Sequence, residues 1–114
     1  MFEQIKKDSL EAWDKFNQFY FSINTNRLRE TYLDSIDIWS IIGDLLLFFD
    51  EQGIIIEVES AKNDKWIFKI IMWGKSRKYV KILVQGKGFN SRSEAWEMAI
   101  PKAFEILQKQ LEEK

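Results

Sequence analysis

A helix that stops at a glycine, three strand-like stretches and a long capped helix follow one another between Asp34 and Glu112. Few arrangements bury the apolar faces of such a series. In the stretch Asp34–Gln52, Trp39, Ile42, Leu46 and Phe49 form one stripe, and Ile38, Ile41, Leu45 and Phe48 form its neighbour. So wide an apolar arc predicts a helix covered on more than one side. Asp34 or Ser35 can cap its start, and Gly53 sits where a left-handed C-terminal cap is expected. Ile54–Ser60, Lys65–Trp73 and Lys78–Gln85 then read as strands, separated by turns at 61–64 and at Gly74-Lys75-Ser76. Connections that short predict an antiparallel meander. Gly86-Lys87-Gly88 breaks the strand pattern, after which Ser91 and Glu94 form the S-x-x-E signature of a capping box opening a helix over Ser91–Glu112. Ala95, Ala99 and Ala103 allow that helix to approach a sheet closely, and Pro101 predicts a kink within it.

Ahead of this series, Phe2, Ile5, Ala12, Trp13, Phe16, Phe19, Tyr20 and Ile23 recur at helical spacing and predict one helix over residues 3–23. Residues 24–35 are polar and suit a turn. The expected fold is α+β, in the order α-α-β-β-β-α, with a three-stranded antiparallel sheet packed by helices. The chain has 114 residues, 46% of them hydrophobic, which suits one domain over 1–114 with a core that needs no disulfide or metal.

Cysteine and histidine are both absent. Disulfides, Cys/His zinc sites, thiol nucleophiles and Ser-His-Asp triads are therefore excluded. Only carboxylates, lysines and tyrosines remain for acid–base work, so we expect a non-enzymatic protein without a cofactor. No apolar run reaches the roughly 20 residues that span a bilayer, and the first residues lack a signal peptide's apolar stretch. The expectation is a cytoplasmic protein with no membrane partner. Charge is unevenly distributed. Residues 1–59 carry 5 basic and 12 acidic side chains, residues 60–92 carry 9 and 1, and residues 93–114 carry 3 and 5. A basic middle between acidic flanks calls for either an internal or an external partner.

Two surfaces follow from strict alternation along the strands. If Ile54/Ile56/Val58, Trp66/Phe68/Ile70/Met72 and Val80/Ile82/Val84 face the helices, the other side shows an apolar set among Glu57, Glu59, Lys69 and Lys81. A patch that apolar is rarely left in water. Either the N-terminal helix covers it or a partner does, and a second copy of the chain would serve equally, making the protein a monomer or a homodimer. Ile67, Lys69, Ile71, Trp73, Tyr79, Lys81 and Leu83 are the candidate protein-binding residues. The second surface is basic: Lys75, Arg77, Lys78, Lys81, Lys87 and Arg92, with Trp73 and Tyr79 near enough in sequence to stack on bases. It supports nucleic-acid binding, or it is a set of solvated strand lysines that guards an edge. The pairs Glu57/Glu59 and Asp50/Glu51 have no third acid nearby in sequence, and we expect no metal site.

The stretch G-K-G-F-N-S-R-S-E-A-W-E-M-A-I-P-K-A-F-E-I-L, Gly86–Leu107, resembles the end of a double-stranded-RNA-binding domain, and the α-β-β-β-α order matches from Asp34 to Leu107. That family's lysine cluster would fall on Arg92, Ser93 and Trp96, of which Arg92 alone is basic. Its Gly-Pro-His loop would fall on Ala61–Asp64, which holds none of these. This resemblance thus implies the fold without the RNA-contacting set. Y-L-D-S-I-D-I-W (Tyr32–Trp39), the three strands and the Ala95, Ala99, Ala103 helix resemble the phage ABA-sandwich proteins, over about 75 residues. That second resemblance implies a phage-encoded viral protein with the same element order. Its expected role is binding a host protein, for example as an inhibitor of a bacterial defence system.

Overall fold

The computed structural model describes residues 2–23, 38–73 and 80–113. The elements are α1 (Phe2–Asp8), α2 (Leu10–Ile23), α3 (Ile38–Glu51), β1 (Ile54–Ser60), β2 (Trp66–Trp73), β3 (Val80–Phe89) and α4 (Arg92–Glu112), with a 3-10 turn at Lys62–Asp64 between the first two strands. This is the α+β arrangement expected, with α1 and α2 standing for the single helix predicted over 3–23. The caps at Asp34 or Ser35, the polar turn at 24–35, the turn at Gly74-Lys75-Ser76 and the strand start at Lys78 lie outside the described residues. Among the described residues no helix is long and apolar enough to cross a membrane.

The chain groups into two compact units, Met1–Phe48 with Phe104–Lys114, and Phe49–Ala103. In the first, Trp13, Phe16 and Tyr20 of α2 are buried together with Leu45 and Phe48 of α3 and Phe104 and Leu107 of α4. Phe16 is the hub. Its ring lies 5.3 Å from Phe48 and 6.0 Å from Phe104, both edge-on, and 5.7 Å from Tyr20. Aromatic pairs in such geometry add about 0.5–1.5 kcal/mol each beyond the area they bury. The helical spacing of these rings in the sequence is what converges them on one stripe.

The break between α1 and α2 is a departure from the expected continuous helix. Ser9 lies between them and is 1% exposed. Its N–H still donates to Ile5 O (2.8 Å), and its carbonyl accepts from Trp13 N (2.9 Å). Ala12 N–H, however, donates to Gln108 Oε1 of α4 at 3.0 Å. Gln108 Nε2 donates in turn to Glu112 Oε1 at 3.1 Å. A backbone donor that leaves the helical ladder needs another acceptor, and Gln108 supplies it across 96 residues of sequence.

In the second unit the sheet order is β1-β2-β3, antiparallel throughout. β1 pairs with β2 over all seven residues without interruption, from Ile54↔Met72 to Ser60↔Trp66. Ile54, Ile56, Phe68 and Ile70 on one face are buried, as are Ala95, Ala99, Ile100 and Ala103 of α4. The small side chains of α4 recur every four residues, as the sequence predicted. Gly53 caps α3 with φ 80°, and its N–H donates to Asp50 O at 3.0 Å. The turn after β1 places Asn63 and Asp64 at φ 64° and 57°, a left-handed conformation that these two residue types tolerate best after glycine. At the start of α4, Glu94 N–H donates to Ser91 Oγ at 3.1 Å, and Asn90 N–H donates to Glu94 Oε2 at 2.8 Å. The capping box is thus reciprocal, with the carboxylate reaching one residue further back than the usual pattern. The helix continues through Pro101.

β3 corrects the sequence reading in two ways. It runs to Phe89, so Gly86-Lys87-Gly88 lies inside the strand rather than ending it. Its register with β2 also shifts twice, between Trp66 and Phe68 and between Ile70 and Ile71. Ile70 pairs with Val84 but Ile71 pairs with Ile82, so Leu83 is an extra residue, a β-bulge. Gly88, at φ 81°, lies in the second irregularity. Gly86 sits directly opposite Phe68, whose ring stacks on Phe89 at 5.6 Å.

Candidate binding surface

Side chains opposite one another in a ladder share a face, so the register defines the second face of the sheet row by row. One row is Ile55, Ile71 and Ile82. The next is Glu57, Lys69 and Gln85, and Glu59 with Ile67 follows. Ile71 is 8% exposed, Ile82 is 52% exposed, and Ile55, Ile67 and Leu83 are half-buried. Lys69 is directly across from Glu57 but bridges Glu59 diagonally, Nζ to Oε1 3.1 Å. Both partners are partly solvated, which limits such a pair to about 1 kcal/mol. This half of the face is therefore a charged band beside an apolar one.

The predicted protein-binding set is only partly assembled. Ile67, Lys69 and Ile71 lie in adjacent rows of β2, as expected from alternation. Leu83 is the bulged residue and belongs to no row. Lys81, predicted on the second face with Lys69, registers opposite Met72 and so falls in a row of the other face, the one that holds Ile54. Trp73 registers opposite Val80. Ile82, assigned by alternation to the helix side, stands instead across from Ile71 and is 52% exposed, the most of the apolar side chains described on the second face. The physical reason is the bulge, because one extra residue inverts the face of everything beyond it. Tyr79 lies outside the described residues.

Of the basic set, Lys75, Arg77 and Lys78 also lie outside the described residues, and Lys81 is described by its register alone. Lys87 is exposed within β3. Arg92 is exposed too, but its guanidinium carbon sits 5.0 Å from the centre of the Trp66 ring, a cation–π contact. Close by, Lys65 Nζ donates to Asn90 Oδ1. The Arg92–Trp66 contact was not legible in the sequence, because cross-element stacking leaves no periodic signal.

An open cleft of about 340 Å³ in the first unit is lined by Asp8, Ser9, Glu105, Gln108, Lys109 and Glu112. Gln108 is already committed to Ala12 and Glu112. Among the described residues no three of His, Cys, Asp or Glu group so as to hold a metal ion. Compared with protein-family models, with curated proteins and with solved structures, the chain finds no match.

Proposed function

We propose that this chain is a small non-enzymatic protein-binding module that works through the second face of its sheet. The observation behind this reading is Ile82, half exposed beside the buried Ile71, in an apolar row flanked by Glu57, Lys69 and Glu59. An apolar contact edged by charges is the usual anatomy of a protein interface. The absence of cysteine and histidine supports a binding role over a catalytic one. The phage resemblance, which rests on Tyr32–Trp39 and the alanine-spaced last helix, supports a phage-derived protein acting on a host factor, such as a component of a bacterial defence system.

The test is affinity capture from a bacterial host lysate with the wild-type chain and with Ile82→Asp, alongside a gel-shift titration with labelled RNA and DNA. The reading expects a partner retained by the wild type and reduced at least about fivefold by the variant, the weakening typical of an interface contact worth more than 1 kcal/mol. It also expects no shift of nucleic acid. A shift with steep salt dependence that is lost in Lys87→Glu/Arg92→Glu would replace it with the nucleic-acid reading.

A further inference from the structure

The two outer strands of the sheet differ in a way that bears on recognition. β3 is interrupted by two register shifts, with Gly88 at positive φ in one and Leu83 bulged in the other. Bulges twist an edge and spoil the even spacing that an added strand needs. β1 has no such defect. Its seven residues pair with β2 in unbroken register, and among the described residues no strand pairs along its other side. Glu57, Glu59 and Ser60 are exposed there. The two glutamates are two residues apart, so both project from the same face, about 6.6 Å apart along the strand.

We propose that the outer edge of β1 is a docking strand for an extended basic segment of a partner protein, one with lysine or arginine at two alternate positions facing Glu57 and Glu59. The inference rests on the protein-binding reading and names the chemistry of the partner. β2 already illustrates the recognition on the inner side: Lys69 lies across from Glu57 and bridges Glu59 at 3.1 Å. Among the described residues that single ammonium is the only cation bridging either carboxylate. An incoming strand would present the same charge from the opposite side, its backbone completing the ladder and its alternate side chains reading the two acids. A second copy is the poorer occupant. Antiparallel pairing of β1 with β1 centred on this stretch would set Glu57 and Glu59 of one copy against those of the other, and like charges directly opposite are destabilising. Pairing of β1 with β3 of another copy meets the two bulges.

A capped, fluorescein-labelled Val-Lys-Val-Lys-Val peptide, titrated against the full chain by fluorescence anisotropy, tests this. Saturable binding is expected. Glu57→Lys/Glu59→Lys should weaken it at least about tenfold, since two favourable cross-strand pairs become two unfavourable ones. Glu57→Gln/Glu59→Gln, a milder change, should fall between. A peptide of equal charge with N-methyl groups on alternate backbone nitrogens should also lose at least about tenfold, because it can no longer complete the ladder. Far-UV circular dichroism of each variant should match the wild type. Equal binding of the N-methylated peptide would overturn the proposal by reducing the effect to charge alone. Absence of saturable binding would overturn it too, leaving the two glutamates as guards against self-pairing. Self-association that the peptide does not dissolve would assign the edge to a second copy. If the peptide fails while the captured partner still depends on Ile82, the edge proposal falls and the protein-binding reading stands; if both fail, both fall.

Discussion

Replacing Gly86 by alanine isolates the contact that organises the middle of β3. A Cβ built on Gly86 would lie 2.7 Å from Phe68 Cζ and 2.8 Å from Cδ1, and closer still to Cε1, whereas ordinary contact begins at 3.4 Å. The ring cannot simply swing into water. Phe68 is 3% exposed, and its ring is stacked on Phe89 at 5.6 Å with 29° between the planes. Over-filling a packed site costs about 1–3 kcal/mol. Against this, glycine to alanine stiffens the unfolded chain and returns about 0.4–1 kcal/mol wherever the native backbone suits alanine. Gly86 is not one of the positive-φ glycines, so backbone strain does not enter. The expected net loss is roughly 1.3 kcal/mol, the difference between the midpoints of those two ranges. Urea unfolding followed by circular dichroism should show a lower midpoint at unchanged slope. In a Phe68→Leu background the ring is gone and the same substitution should cost close to nothing, a coupling that a double-mutant cycle reads directly. Gly86→Ala that is neutral or stabilising with Phe68 in place, or a penalty that persists in the leucine background, would refute this account of the strand.

Phe16→Ala removes the ring that meets Phe48, Phe104 and Tyr20, and should cost about 3–5 kcal/mol in urea unfolding together with loss of the near-ultraviolet aromatic signal. Ser91→Ala removes the acceptor of Glu94 N–H and should cost about 0.5–2 kcal/mol, with Ser91→Asp close to wild type in thermal unfolding. Burial, and to a lesser degree the Asp44 carboxylate, raises the Tyr20 phenol above its ordinary value of 10.0. Its stabilising contribution is therefore complete below pH 10 and is lost as pH rises from there through the folded-state value. Phenolate absorbance should show one tyrosine titrating late, and Tyr20→Phe should flatten the alkaline loss of stability.

What could be read from the sequence, and what could not, divides along the range of the interactions. The Gly53 stop, the Ser91 and Glu94 cap and the four-residue spacing of Ala95, Ala99 and Ala103 are local rules, and each holds in the structure. The aromatic stripe of α2 was equally visible, because side chains three and four apart share a face wherever the helix packs. The bulge at Leu83 was not visible. Nothing in Val80–Gln85 breaks alternation, so the inversion that moves Ile82 across from Ile71 arises only from pairing with β2. A signal for irregularity was present nonetheless in Gly86 and Gly88, since glycine inside a strand marks a bulge or a close approach, and here it marks one of each. Near the interruption at Ser9, Ala12 N–H donates to Gln108, 96 residues further along, and no window short enough to show periodicity contains both.

The pairing of the first helices with the last governs when the protein can fold as well as how. Trp13 and Phe16 close on Phe104, and Ala12 N–H closes on Gln108. A ribosome adding about 5–20 residues per second delivers the opening aromatic stripe several seconds before its counterpart. Through that interval Trp13 and Phe16 travel without Phe104, the part of their enclosure that is made last. A nascent chain arrested before residue 104 should therefore bind chaperones and hydrophobic dyes through Trp13 and Phe16, and release them once Phe104 and Gln108 have emerged from the ribosome.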